Sequence, residues 1–126
     1  FVKKFPRQKF VIDHLAKPLI REKKLEPWRQ LMNEIAQHDN VYCKISGMVT
    51  EAEWKAWRPT DFTPFQECVL EAFGPKRLLY GSDWPVCLVA ASYEEQFSLT
   101  TRFISGLSPT EKKSVMGGNA ASFYQL

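Results

Sequence analysis

A histidine and an aspartate stand where two short apolar runs stop. His14 follows "FVID" (10–13) and Asp83 follows "RLLYGS" (77–82). Such runs read as buried strands, so a titratable group at the end either caps a turn or does chemistry. The bland uses are common: a strand-end aspartate often caps the next turn, and a lone histidine is more often a satisfied core residue. Pro18 and Pro85 fix the exits just beyond the two groups, which favours a shared rim. A hydrogen-bonded carboxylate at such a rim stays ionised and takes a proton from water. An imidazole there donates to a carbonyl oxygen that gains negative charge, or binds a divalent ion.

Three strands must position these groups: 9–13, 41–46 and 77–82. Between the first two, Pro27 opens a helix over 27–38 whose apolar residues Trp28, Leu31, Met32 and Ile35 share one side. A helix over 63–74 is predicted next, with Thr63 and Gln66 as a capping box, Pro64 at its first position and Gly74 at its end. Residues 48–63 read as a long loop with a helical turn near Trp54 and Trp57. Two further capping boxes, Ser92 with Glu95 and Ser108 with Glu111, open helices after the third strand. A last short helix is expected with Asn119 as its cap and Phe123 and Tyr124 docking. Strand starts lie about 32 and 36 residues apart, the length of a βαβ unit, so the strands run parallel.

Alternation assigns the faces. Phe10, Ile12 and His14 share one side of the first strand; Tyr42, Lys44 and Ser46 share one side of the second; Leu79, Gly81 and Asp83 share one side of the third. Each of these sides turns small or polar toward its C-terminal end, as a (β/α)₈ barrel interior does below its catalytic mouth. An open nucleotide-binding sheet would carry a glycine-rich phosphate loop, and no G-x-G-x-x-G or Walker A sequence is present. The expected fold class is therefore α/β, as an incomplete barrel of three β/α units.

On this reading Lys44 and Ser46 face the interior, where they contact substrate hydroxyls or a carboxylate unless Lys44 instead pairs a neighbouring acid, and Trp84 either forms an apolar wall beside that space or packs under its loop. Asp13, of opposite parity, is left to a structural hydrogen bond. Lys17 lies where it reaches an anionic substrate or plain solvent. His38 is a helix-end residue favoured by the dipole, and Cys87 is inert.

Bulk properties exclude other classes. The 126 residues are 44% hydrophobic and 25% charged, with a net charge of +3. That excess is small and interspersed with Glu, which argues against nucleic acid. No apolar run approaches the roughly 20 residues of a membrane span, which argues against a membrane partner. Cys43, Cys68 and Cys87 are widely spaced and read as reduced thiols of a cytoplasmic protein. The chain starts at Phe1, and "FVKKFP" looks like the last turn of a helix whose earlier turns are missing, so a fragment of a longer chain is expected.

"FVIDHLAKP", "VYCKISGMVTEA", "RLLYGSDWPV" and the terminal "GNAASFYQL" together resemble the amidohydrolase-related family of metal-dependent-hydrolase-like barrels, in the branch of sugar-lactone hydrolases. The resemblance implies that the strands are the last three of eight, six to eight. It makes His14 the strand-six histidine and Asp83 the strand-eight aspartate. It implies a sugar-acid lactone as substrate, and either one divalent ion such as zinc, held in part by His14 and Asp83, or none. Ser122 stands where the family's closing helix usually has Arg. The family's strand-one H-x-H pair is absent from this chain, so the missing N-terminal part of the barrel, or a second copy, is expected to cover the open sheet edges. The chain alone is expected to be inactive. Decarboxylation, cleavage of an amide or pyrone lactone on the same scaffold, and a non-catalytic domain pairing through its strand edges are the alternative readings.

Overall fold

In a computed structural model, which describes residues 1–126, the three apolar runs form one parallel sheet in the order β1-β2-β3. They are β1 (Phe10–Ile12), β2 (Val41–Ile45) and β3 (Leu78–Tyr80). Ile12 lies opposite Cys43, and Cys43 opposite Leu78, so the strands rise in step and their C-terminal ends share one edge. Parallel neighbours need crossovers, which α1 (Trp28–Ala36) and α2 (Pro59–Phe73) supply. Beyond β3 come α3 (Tyr93–Phe103), α4 (Pro109–Lys113) and α5 (Asn119–Tyr124). No helix is long and apolar enough to cross a membrane.

Alternation along β2 decides where the core sits. Val41, Cys43 and Ile45 are buried in one cluster with Trp28 and Met32 of α1 and Phe62, Phe65 and Val69 of α2. The Trp28 and Phe65 rings are tilted 59° to one another with centroids 5.4 Å apart. Each such fully buried side chain contributes roughly 1.5–3 kcal/mol. The opposite face of β2 receives α5: Phe123 meets Tyr42 edge-on with centroids 5.0 Å apart, and Lys44 Nζ lies 6.0 Å from the Tyr124 ring centre. Phe123 and Tyr124 dock as the sequence leads one to expect.

Three expectations need correction. The second long helix starts at Pro59, not at Thr63, and Pro64 lies inside it. Pro59 takes the favoured first position, Arg58 before it is extended, and the Arg58 N–H donates to Asp61 Oδ2 at 2.8 Å. The stretch expected to be a loop is therefore helical from residue 59, preceded by a short turn at Val49–Glu51. Asn119 does not cap α5; its Nδ2 donates to the carbonyls of Pro75 and Leu78, both at 2.7 Å, and ties α5 to β3. Leu31, placed on the apolar stripe of α1, is 57% exposed because nothing covers α1 beside the open edge of β1. The Ser92–Glu95 and Ser108–Glu111 boxes form as expected.

One side chain fastens the strand N-terminal ends. The Arg77 guanidinium donates to the carbonyls of Ala36, His38 and Val41, each at 3.0 Å. Of these, the Ala36 carbonyl lies at the end of α1, where the helix supplies no partner of its own.

Candidate active site

The chain leaves β1 and β3 through backbone that few residues adopt. His14, Leu15, Ala16 and Lys17 all have φ between 51° and 56°, and Asp83 has φ 57°. Left-handed backbone costs a non-glycine residue about 1–2 kcal/mol, although Asp and His tolerate it better than most. Around His14 the packing holds it in place: Leu15 is fully buried, and its carbonyl accepts the Trp28 Nε1–H at 2.6 Å. Strain of this kind concentrates at functional sites.

The two turns bring the imidazole and the carboxylate together. His14 Nδ1 lies 2.9 Å from Ser46 Oγ and 3.8 Å from Asp83 Oδ1. Ser46 is 1% exposed, while the His14 and Asp83 side chains keep 34% and 12% of their surface open. The site is thus anchored from below and open above.

Glycine makes this approach feasible at two positions. A Cβ on Gly47, whose φ is +64°, would stand 2.9 Å from both Cβ and Nδ1 of His14. A Cβ on Gly81 would stand 3.0 Å from Ser46 Cβ and 3.3 Å from Lys44 Cδ. The imidazole is wedged against one glycine, and its serine partner against the other.

Lys44 sits in the same region with its ammonium paired to Asp13 Oδ1. Burial pulls Lys44 down, but hydrogen bonds to Asp13 and Tyr124, and their charges, outweigh it and leave the ammonium above its ordinary value. Alternation puts Asp13 on the other face. The structure ends β1 at Ile12, so strand parity no longer governs Asp13, and it turns to meet Lys44. Lys17 is occupied by Glu51 at 3.2 Å.

Trp84 is 63% exposed next to Asp83, with Val86 of the same loop 56% exposed. Cys87 is fully buried; burial and then the Asp83 charge push its thiol up, away from the reactive thiolate. His38 lies just past α1 and lines a groove of about 930 Å³ along the open edge of β1, with Ile12, Leu19, Trp28, Leu31 and Ile35. Neither Asp83 nor Ser46 lines that groove, so it is not where the titratable groups meet.

The family model described as amidohydrolase matches residues 1–126. This chain belongs to the amidohydrolase family. Among curated relatives, L-fucono-1,5-lactonase of Burkholderia multivorans is 45% identical over 126 residues, covering 92% of this chain and 43% of that protein. L-rhamnono-gamma-lactonase of Scheffersomyces stipitis is 29% identical over 143 residues, covering 98% of this chain and 43% of that protein. A crystal structure of an amidohydrolase from Burkholderia multivorans with bound zinc is 43% identical with a TM-score of 0.88, covering 99% of this chain and 48% of that one. The chain spans less than half the length of these relatives, and its three-stranded α/β fold matches part of an amidohydrolase barrel.

Within this amidohydrolase chain, His14 and Asp83 carry the nitrogen and oxygen donors that suit a divalent ion such as zinc. No third His, Cys, Asp or Glu groups with them. Zinc takes three or four protein donors, so the residues present fit only part of a metal centre.

Proposed function

We propose that the chain forms the C-terminal three β/α units, strands six to eight, of an amidohydrolase barrel that hydrolyses a sugar-acid lactone. The observation that carries this reading is the convergence of His14 and Asp83, 3.8 Å apart, at the shared C-terminal edge of a parallel sheet. Barrel enzymes react at that edge. The lactonase relatives supply the substrate class.

The chemistry follows from the groups. Asp83, ionised beside the imidazole, takes a proton from water as the water attacks the ring carbonyl. The carboxylic acid so formed returns that proton to the ring oxygen as the C–O bond breaks, and the product is the open hydroxy acid. His14 presents its second ring nitrogen to the same space, either to the carbonyl oxygen or to a divalent ion that polarises it. Lys44 and the exposed face of Trp84 receive substrate: the ammonium takes hydroxyls or a carboxylate, the indole takes the apolar face of the sugar ring. The groove along β1 is where the remainder of the barrel, or a second copy, covers the open strand edge.

A panel of sugar-acid lactones, aryl esters, pyrone lactones and aromatic acids tests this directly. The complete barrel containing this chain is expected to hydrolyse the sugar lactones, whereas the 126-residue chain alone, about half of a typical barrel, is expected to be inactive. Turnover by the isolated chain contradicts the partial-barrel assignment. Decarboxylation without lactone hydrolysis by the complete barrel contradicts the substrate class.

A further inference from the structure

The geometry points to Ser46 as the positioning residue that fixes the proton of His14 on Nδ1 and leaves Nε2 bare. This deepens the reading of His14 as a site residue and rests on it. Two oxygens face the same ring nitrogen, Ser46 Oγ at 2.9 Å and Asp83 Oδ1 at 3.8 Å. A lone pair on Nδ1 would oppose the Asp83 carboxylate across that distance, whereas an N–H is attracted to it. Nδ1 therefore donates to Ser46, with the carboxylate reinforcing the same tautomer.

Ser46 is built for the task. It is 1% exposed, so substrate has no access to its hydroxyl. Gly81 leaves just enough room on one side of it, and Gly47 presses the imidazole toward it from the other. The interior face assigned to Ser46 by alternation thus serves His14, and a direct substrate contact by Ser46 is replaced by an indirect one. The consequence for His14 is specific. A neutral ring with Nδ1 protonated presents only a lone pair at Nε2, which accepts a proton or ligates a cation and does not donate to the carbonyl oxygen. Of the two uses of His14, the structure assigns the acceptor or ligand.

The test is long-range ¹H–¹⁵N NMR of the histidine rings, at a pH where they are neutral, in the 126-residue chain and in the complete barrel. His14 is expected to show protonated Nδ1 and unprotonated Nε2, and Ser46→Ala is expected to mix the two tautomers. His38, which has no such partner, reports whether the variant perturbs histidines in general. In the complete barrel Ser46→Ala is expected to lower kcat about 10-fold or more with KM little changed. An Nε2–H tautomer in the parent, or an unchanged His14 spectrum in a folded Ser46→Ala chain, overturns the inference. A tautomer that responds as expected in a barrel that hydrolyses no lactone sinks the functional reading and leaves the role of Ser46 standing.

Discussion

Asp83→Asn is expected to lower the kcat of the complete barrel by about 10²–10⁴-fold, the range that a positioned general base contributes. The substitution is nearly isosteric and removes the ability to take a proton together with the negative charge beside His14. Asn adopts the left-handed backbone required by φ 57° as readily as Asp, so the turn survives. The Asp83 carbonyl, which accepts the Cys87 N–H at 2.9 Å, is unaffected by the change. Loss is therefore expected in kcat, with the thermal unfolding midpoint nearly unchanged. Steady-state kinetics beside a melting curve separates the two. A variant within a few-fold of the parent removes Asp83 from the chemistry.

The second large effect is expected from a residue with no functional group. Gly47→Ala adds a carbon that would stand 2.9 Å from the His14 ring, at a φ of +64° that alanine adopts with strain. Overpacking of this kind costs about 1–3 kcal/mol, and the backbone conformation about 1 kcal/mol more. The ring cannot stay in place: it must leave Ser46, or the turn must shift. A displacement near 1 Å at a reacting group costs on the order of 10²-fold in rate. Gly47→Ala is therefore expected to lower both the melting temperature and kcat. Gly74→Ala, at a φ of +67° with nothing within 4 Å of the added carbon, is the matched control. Equal behaviour of the two variants would show that Gly47 does not hold the imidazole.

Local signals read well from this sequence. The strands, the Ser92–Glu95 and Ser108–Glu111 boxes and the apolar face of β2 depend on residues within a few positions of each other, and they formed as read. The start of α2 is read four residues late because Pro64 suits a first helical position as well as Pro59 does, and the Asp61 carboxylate meeting Arg58 N–H favours the earlier one. Parity gives the wrong face for Asp13 because the strand ends one residue before it, although its use is structural. Alternation placed His14 and Ser46 on one side, but their 2.9 Å contact depends on a left-handed turn that no periodicity encodes. Arg77 and Asn119 act on carbonyls 36–44 residues away, which leaves no local trace.

Because the two titratable groups share one environment, their losses should not multiply. The decisive measurement is kcat/KM of the complete barrel for His14→Ala, Asp83→Asn and the double variant. If both act at a single reaction centre, the double variant is expected to be about as slow as the slower single one. Losses that multiply would mean that the imidazole and the carboxylate work independently, and the site described above would not exist as a unit.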